Sequence, residues 1–324
     1  MPTQPLVSVL MPLYNKAAFV AEAIESVLNQ TYPNIEIIIV DDGSTDNSFE
    51  IAKRYESAKI FLFKQENKGV SSARNTAFRH SKGDFIQYLD ADDVLDPRKI
   101  EEQVKILRGS PDALTTAQQC IGFKIAKDGQ IQTFERPLLS KNYDNPFAFL
   151  MAEVRQPVHV HSWLIPRNLM NQAGIWNETM TIFEERDLYL RLVPFASKIV
   201  YCHSAMCYWR LPISTDHYSK RNSIVGTTAA LHFFSRFEAK ILNNPHVNSE
   251  EARLVLACLY KKLLFFARNS KPIVTEIRNR CIRLNLIPDC STHPIIKIIS
   301  KIFSIRIAFE VVFFQVMLKG KLKQ

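Results

Sequence analysis

The chain has 324 residues, a length that suits two compact domains at about 150 residues each. Apolar residues make up 47% of it and charged residues 23%, with 9 glycines and 16 prolines, which excludes collagen-like, mucin-like and broadly disordered chains. The net charge of +9 is uneven: residues 1–110 carry 13 basic and 16 acidic side chains, residues 111–219 carry 10 of each, and residues 220–324 carry 18 and 6. We therefore expect two parts, with the basic surplus confined to the last third.

The cysteines and the apolar runs indicate in which cellular compartment the protein is expected. The six cysteines form no CxxC pair and no cluster with histidine at zinc spacing, which argues against a disulfide framework or a structural zinc. The N-terminal segment has no basic stretch before its apolar run. No uncharged apolar stretch reaches the length of about 18 residues that a membrane span needs. We expect a cytoplasmic protein that does not cross a bilayer.

Strand and helix patterns alternate along the first hundred residues, as in an α/β unit with a parallel sheet. Continuous apolar runs predict strands buried on both faces, at Val7–Leu13, Ile35–Val40, Ile60–Lys64 and Phe85–Leu89. Helical spacing predicts the connections between them, at Ala17–Gln30, Asp46–Tyr55 and Ser71–Ser81. Asp96 and Pro97 then predict the start of a helix that extends to about Arg108.

The remaining chain is irregular and β-rich to residue 165, and then changes in character. It is predicted to contain helices at Arg167–Ala173 and Glu184–Val193 and a strand at Ile199–Trp209. From about residue 220 the pattern is helical, at Glu250–Ala267, Pro272–Leu286 and Pro294–Leu318. The predicted organisation is an α/β domain over residues 1–219 and a basic helical region over residues 220–324.

Open α/β sheets bind ligands at the carboxyl ends of their parallel strands. Each of the four predicted strands is followed at that end by a polar segment. These segments are Tyr14-Asn15, Asp41-Asp42, Asn67-Lys68-Gly69 and Asp90-Ala91-Asp92-Asp93. The last segment places three carboxylates in four residues, which repel one another unless a cation compensates them. Hard cations take such oxygen ligands together with phosphates, so the segment predicts a metal and diphosphate site. The alternative is a solvated turn that caps the following helix.

The glycines give no phosphate-binding loop. There is no GxxxxGK[ST] sequence, and Gly43, Gly69 and Gly83 are too dispersed for GxGxxG. A cation bound by aspartates can hold phosphates instead, and Asp42 is placed to accept hydrogen bonds from a base or ribose.

Five segments in order closely resemble glycosyltransferase family 2 of the GT-A fold. They are Val7–Asn15, Ser26–Tyr32, Glu36–Asp46, Asn67–Asn75 and Gly83–Asp93. The resemblance is dense over residues 6–108 and thinner to about residue 215. It implies a nucleotide-sugar-binding domain with a mostly parallel sheet flanked by helices.

The resemblance also implies roles for individual residues. Nucleotide-sugar binding is expected of Pro12, Tyr14, Asn15, Asp42, Asn75, Asp90 and Arg210. Asp92 and Asp93 are the predicted ligands of Mn²⁺ or Mg²⁺. Relatives have a general base, usually the Asp of a Glu-Asp pair opening a helix, and Glu185 occupies that position here. Asp187 competes for the role, and a plain helix start with acids at its positive end is the structural alternative.

These roles imply inverting transfer of a sugar from a nucleoside diphosphate donor, expected to be a UDP-sugar, to an acceptor hydroxyl in cell-surface glycan synthesis. The acceptor would be a glycan or a lipid-linked glycan. A non-catalytic sugar-nucleotide-binding or scaffold protein is the alternative, since Glu replaces Asp at the base position. A third possibility, nucleic-acid binding through the basic region, predicts steep salt dependence and is not the expected function.

Several further features have two interpretations. His159 and His161 alternate on a predicted strand and suit either a ligand pocket or ordinary strand hydrogen bonds. Trp163, Trp176 and Trp209 suit sugar stacking or a core. The basic helices after residue 220 either hold the protein on the inner face of an anionic membrane or pack on the domain with solvated charges.

Overall fold

The computed structural model describes residues 4–125, 131–137, 141–146, 148, 149, 158–180, 183–211, 224–243, 249–267 and 270–286. Its strands form one mixed sheet, which contains β1 (Val7–Leu13), β2 (Ile35–Asp41), β3 (Ile60–Lys64), β4 (Phe85–Tyr88), β5 (Val94–Leu95), β6 (Leu114–Ile125), β7 (Ile131–Pro137), β8 (Trp163–Pro166) and β9 (Ile199–Arg210). The strand order is β3-β2-β1-β4-β8-β6-β9-β5, and β7 pairs with β6 outside this path.

The first half of the sheet is parallel. β1 lies between β2 and β4, and β3 pairs with the outer edge of β2. All seven residues of β1 and all seven of β2 are buried, because their continuous apolar runs suit a sheet covered on both faces. Leu13 pairs with Asp41 at the carboxyl end of this layer. The register therefore brings the segments that follow β1 and β2 together, as the sequence predicts.

The second half of the sheet changes direction. β8 is antiparallel to both β4 and β6, whereas β9 runs parallel to β6 and pairs antiparallel with the two-residue β5. This half is built from segments far apart in the chain, and the sequence indicated only an irregular β-rich region there. The sheet carries residues that follow β4 and residues at the end of β9 to the same site.

The structure describes nine α-helices in the part of the chain given above, and all but α7 begin and end close to their predicted bounds. They are α1 (Val20–Leu28), α2 (Ser48–Lys53), α3 (Val70–His80), α4 (Lys99–Gly109), α5 (Arg167–Ala173), α6 (Glu184–Leu192), α7 (Ile224–Leu242), α8 (Ser249–Ala267) and α9 (Lys271–Arg283). α3 packs on β1 and β2, and α4 packs on β6 and β9. None of the described helices combines the length and apolar composition that crossing a membrane requires.

Two sequence predictions differ from the structure. His159 and His161 do not lie on a strand, because residues Val160–Ser162 form a short 3₁₀ turn that leads into β8. The helix α7 was not among the helices predicted after residue 220. Its apolar residues include the adjacent buried rings of Phe233 and Phe234, so a single narrow stripe is a poor description of this helix.

The chain divides into two compact units. The first contains the described residues within 1–178 and 184–213, and the second those within 179–183 and 214–324. In the second unit Glu238 is buried and accepts hydrogen bonds from Tyr260 and from Arg283, which joins α7, α8 and α9. The predicted boundary at 219/220 and the predicted helix Pro294–Leu318 fall outside the described residues, and both stay predictions.

Candidate active site

The three carboxylates after β4 have three different partners. Asp90 pairs with Arg74 of α3, Asp92 with Lys16 from the segment after β1, and Asp93 with His161 from the turn before β8. The repulsion expected among three neighbouring acids is thus compensated by cations from three separate elements. All six residues belong to the first unit.

Asp90 is held by a buried guanidinium. Arg74 is 2% exposed, and its Nη2 donates to Asp90 Oδ1 at 2.7 Å. Burial acts against ionisation of Asp90, but the Arg74 charge and hydrogen bond outweigh it and hold the pKa of Asp90 below its ordinary value. Nε and Nη1 of Arg74 are buried and have no hydrogen-bond partner within the described part of the chain. The protein encloses both atoms, and the guanidinium lies over the ring of Trp176 at 4.3 Å, so a ligand would reach these donors only if this packing changed.

Asp93 faces the protein interior. It is 3% exposed, its Oδ1 accepts from the backbone N–H of Arg210 at 2.9 Å, and its Oδ2 lies 3.0 Å from Nδ1 of His161. Burial raises the pKa of Asp93 to about 6, with His161 acting in the opposite direction. Burial also opposes a charge on His161, but Asp93 raises the pKa of the imidazole well above its ordinary value. Both Asp93 oxygens are engaged, so this placement does not support the prediction that Asp93 is a metal ligand.

Asp92 differs from the more exposed Asp90, whose side chain is 34% exposed, in the kind of cation that it pairs with. The Asp92 side chain is 24% exposed, and its Oδ2 accepts a hydrogen bond from Nζ of Lys16, which is exposed to the same extent. Arg210 lies beside it, since Nε of Arg210 donates to the backbone oxygen of Asp92 at 3.0 Å. Of the three carboxylates, Asp92 combines exposure with a partner on a flexible side chain.

Arg210, the last residue of β9, is a buried cation. Its Nη2 donates to Glu22 of α1, and its guanidinium lies over two aromatic rings, those of Phe19 at 4.7 Å and Phe123 at 4.4 Å. These contacts fix Arg210 next to Asp92 and Asp93, and its role near a diphosphate stays a prediction.

The residues after β1 and β2 form one connected loop region. Pro12 is buried within β1, and Tyr14 is 46% exposed. Asn15 has a positive φ of 51° and its Oδ1 accepts from the backbone N–H of Thr45 at 2.8 Å. Such a left-handed backbone is well tolerated by Asn, and it turns the chain so that Lys16 follows towards Asp92.

Asp42 is largely committed to its own loop. Its two oxygens accept hydrogen bonds from three donors, Gln65 Nε2 and the backbone N–H groups of Lys68 and Gly69, at 2.8 to 2.9 Å. Asp42 is only 3% exposed. These bonds tie the end of β2 to the start of α3, and a ligand would have to reach the remaining lone-pair positions of the carboxylate.

Asn75 has a structural position. It is fully buried, and its amide exchanges hydrogen bonds with the backbone N–H and C=O of Trp176 at 2.8 and 2.9 Å. Its second amide hydrogen is donated to Glu178 Oε1 at 2.7 Å. A ligand cannot reach this amide in the described conformation, so the structure does not support the prediction that Asn75 contacts the donor. Asn75 instead fixes the segment 176–178.

Glu185 lies in the first turn of α6, within electrostatic range of Arg74 and Asp90. Its desolvated surroundings raise the pKa of Glu185 to about 8, Arg74 acts in the opposite direction, and Glu184 and Asp90 add to the rise. The carboxylates of Asp90, Glu185 and Glu184 in turn raise the pKa of Arg74, although its burial alone would lower it. A carboxylate with a pKa near neutrality is suited to proton transfer.

Asp187 does not compete for that role. It is fully buried, and Nε of Arg191 donates to its Oδ2 at 3.0 Å. The same guanidinium donates to the backbone oxygen of Ala173 at 2.7 Å, which connects α6 to the end of α5. Asp187 therefore serves packing between two helices.

The tryptophans have different surroundings. Trp163 and Trp176 are buried at 1% and 2% exposure, so they belong to the core and cannot stack on a sugar. Trp209 is half-buried and lies against the ring of His159 with centroids 4.8 Å apart. Sugar stacking by Trp209 stays a prediction.

The acidic segment fits a divalent cation held together with a ligand phosphate. Among the residues that the structure describes, no group of three or more His, Cys, Asp or Glu side chains forms a metal-ligand set. Mg²⁺ is usually bound by one or two protein carboxylates and completes its shell with water and substrate phosphates. Asp92 offers an accessible carboxylate for this, and the unpartnered Nε and Nη1 of the nearby Arg74 favour an anionic ligand.

Sequence reasoning missed two of the charged residues at this site. Arg74 lies inside Asn67–Asn75, one of the segments that resemble the family, and this position could have indicated a role at the site. Lys16 carried no signal, because a single lysine after a strand is common on protein surfaces and its partner is 76 residues away.

The chain is similar in sequence to known proteins. Residues 8–161 match the model of the family described as glycosyl transferase family 2. A glycosyltransferase of Rickettsia typhi is 34% identical over 193 residues, which is 60% of each protein. Chondroitin synthase of Escherichia coli is 30% identical over 190 residues, which is 58% of this chain and 26% of the synthase. The chain thus matches less than two thirds of the length of these relatives.

Solved structures share the fold at low sequence identity. TarS 1–349 of Staphylococcus aureus, in complex with UDP-GlcNAc, has a TM-score of 0.70 at 14% identity, covering 98% of this chain and 92% of that structure. The mannosyltransferase PcManGT of Pyrobaculum calidifontis, in complex with GDP-Man and Mn²⁺, has a TM-score of 0.57 at 16% identity and covers 100% and 89%. Residues 8–161 therefore form a glycosyl transferase family 2 domain, and the chain has the GT-A fold that these solved structures share.

Proposed function

We propose that the chain transfers a sugar from a nucleoside diphosphate donor to an acceptor hydroxyl, with inversion at the anomeric carbon. The observation that carries the proposal is the arrangement around Arg74. Its buried guanidinium pairs with Asp90, has two donors without a hydrogen-bond partner in the described part of the chain, and lies in electrostatic range of Glu185. An accessible carboxylate, Asp92, follows two residues after Asp90.

Glu185 is the proposed general base. Its carboxylate takes the proton of the acceptor hydroxyl while the acceptor oxygen forms a bond to the anomeric carbon. The bond between that carbon and the diphosphate oxygen breaks, and the nucleoside diphosphate leaves with the bonding electron pair. A single displacement from the opposite face inverts the configuration, and it requires no covalent nucleophile on the protein.

Other residues of the site compensate the negative charge of the leaving group. Asp92 would hold Mn²⁺ or Mg²⁺, and such a cation supplies compensation of the negative charge that develops on the diphosphate. Arg74 has unpartnered donors that would bind an anionic part of the donor if its packing changed on binding. Arg210 adds a positive charge beside Asp92, fixed by its contacts to Glu22 and to Phe19.

The proposed donor is a UDP-sugar, and the proposed acceptor is a glycan or lipid-linked glycan of the cell surface. The fold similarity to a structure in complex with UDP-GlcNAc supports the donor, and the mannosyltransferase structure in complex with GDP-Man and Mn²⁺ supports the cation. The acceptor class rests on the sequence resemblance to the family.

Release of nucleoside diphosphate tests this function. The full chain is incubated with Mn²⁺ and a panel of UDP- and GDP-sugars, alone and with glycan acceptors, and the released diphosphate is measured. We expect turnover with at least one donor, a decrease of at least about 100-fold for Glu185→Gln, and retention of activity by the neighbouring Glu184→Gln. Equal activity of Glu185→Gln and the unaltered chain would exclude the assigned base.

The second candidate is a sugar-nucleotide-binding protein without catalysis. A specific observation favours it: Glu185 has a pKa of about 8 and is mostly protonated at neutral pH. Calorimetric titration with the same donors separates the two functions. Binding of a donor without turnover at pH 9, where Glu185 is ionised, would support the binding protein and reject the enzyme.

A further inference from the structure

Lys16 is directed at Asp92 by the loop region around it. The backbone N–H of Asn15 donates to Ser44 Oγ at 3.1 Å, and the backbone N–H of Lys16 donates to Ser48 Oγ at 2.7 Å. With the positive φ of Asn15, these bonds fix where the Lys16 side chain leaves the backbone. The ion pair with Asp92 is therefore a product of the local backbone.

Lys16 differs from the other cations of the acidic segment. Arg74 and His161 are 2% and 1% exposed, and each holds its partner through a planar group that is packed in the fold, although the Asp90 side chain is itself 34% exposed. Lys16 and Asp92 each keep 24% of their side-chain surface exposed. A lysine has a flexible four-carbon stem and can move its ammonium group to another oxygen at little cost.

We propose that Lys16 occupies the counter-ion position of Asp92 in the empty site, competes there with the divalent cation, and turns to the donor diphosphate once the cation is bound. The inference rests on the proposed function, because it assumes that Asp92 binds the cation. An ammonium group and a divalent cation cannot both pair closely with one Asp92 oxygen without repelling each other. A phosphate oxygen offers the displaced ammonium a new charge-assisted hydrogen bond.

The proposal makes two opposite predictions for one substitution. Lys16→Met removes the competitor, so we expect it to bind Mn²⁺ about three- to fivefold more tightly in the absence of nucleotide. The same substitution removes a phosphate partner, so we expect weaker binding of UDP in saturating Mn²⁺. A residue that only supported the loop would weaken both ligands or neither.

Electron paramagnetic resonance of free Mn²⁺ measures the first quantity, and calorimetric titration with UDP measures the second. Both use the full chain and need no catalytic turnover. Lys16→Arg keeps the charge and is expected to bind Mn²⁺ like the unaltered chain. The matched control is Lys105→Met, which removes an exposed lysine paired with Glu101 and Glu102 on α4 and should change neither affinity.

The outcomes separate this inference from the proposed function. Mn²⁺ affinity that is equal or lower in Lys16→Met, including no measurable binding by either protein, overturns the inference. Asp92→Asn is titrated in parallel. If it binds Mn²⁺ as the unaltered chain does, the assigned cation site is wrong and the inference fails with it. Loss of Mn²⁺ binding by Asp92→Asn, with unchanged affinity in Lys16→Met, rejects the role of Lys16 alone.

Discussion

Three neighbouring carboxylates of one short segment have different chemical properties. Asp90 is kept ionised by Arg74, Asp93 is engaged on both oxygens inside the fold, and Asp92 is partly exposed beside a mobile lysine. Burial and partner geometry produce these differences, since the side chains are chemically identical. Asp92 and Asp90 are both partly exposed, but Asp90 is held by a buried arginine and Asp92 by a partly exposed lysine, an arrangement that suits a cation shared with a ligand.

The raised pKa of Glu185 predicts the pH dependence of the reaction. A general base acts in its deprotonated form, and with a pKa of about 8 only about one tenth of Glu185 is ionised at pH 7. We therefore expect kcat/KM to rise about fivefold from pH 7 to pH 8 and to level off above pH 9. Initial rates of nucleoside diphosphate release across this range give the profile.

Glu184→Gln is the control for that profile. It replaces one of the neighbouring carboxylates that raise the pKa of Glu185, so the rise should move to slightly lower pH while the maximal rate is kept. A profile of the unaltered chain that is flat between pH 7 and pH 9 would contradict the assignment of Glu185.

Among the secondary-structure elements, α3 connects both sides of the site. Its Arg74 holds Asp90, and the next residue, Asn75, holds the segment 176–178 that precedes α6 and Glu185 in the chain. Adjacent residues of a helix point in different directions, so one helix can serve two purposes in this way.

Asn75→Ala is expected to destabilise the first unit by about 2–4 kcal/mol. The substitution leaves the backbone N–H and C=O of Trp176 without their buried partner, and it frees Glu178 Oε1 as well. Chemical denaturation of the full chain, followed by the fluorescence of its tryptophans, measures the change. Asn168→Ala is the control, because Asn168 is exposed and makes a 3.4 Å contact with Asp112, so its loss should cost less than about 0.5 kcal/mol. Equal stability of the two variants would show that the Asn75 bonds contribute little.

For the molecule as a whole, the distribution of charge distinguishes its two ends. Residues 1–110 are net −3 and residues 220–324 are net +12. A basic region near an anionic membrane gains on the order of 1 kcal/mol per lysine or arginine at the surface. We propose that this region attaches the enzyme to the inner face of the cell membrane, where a lipid-linked acceptor would be available.

Sedimentation with lipid vesicles tests this attachment. We expect the full chain to sediment with vesicles that contain about 30% acidic phospholipid and to be released by about 0.5 M salt, since screening weakens exposed electrostatic attraction. Vesicles of zwitterionic lipid alone are the control and should leave the protein in solution. A chain that stays in the supernatant with both vesicles would instead favour basic helices whose charges are solvated.

The residue pattern alone predicts β1 to β4, most of the helices and the position of the site. Continuous apolar runs marked β1 and β2 because both faces of these strands are covered, and the carboxyl ends of parallel strands meet at one edge. That rule was enough to bring Asp42 and the segment Asp90–Asp93 into one region. The helix with Glu185 was predicted from its pattern of acidic and apolar residues, within one residue of its observed end.

What each residue of that region can do depends on tertiary contacts. Lys16 and Asp92 are 76 residues apart, and Arg210 and Asp93 are 117 apart. No local pattern encodes such pairs, because they depend on the register of the sheet and on how loops pack. The same packing buried Asn75 and Asp93 and left Asp92 exposed. Availability of a side chain is a property of its surroundings, which the order of residues specifies only through the complete fold.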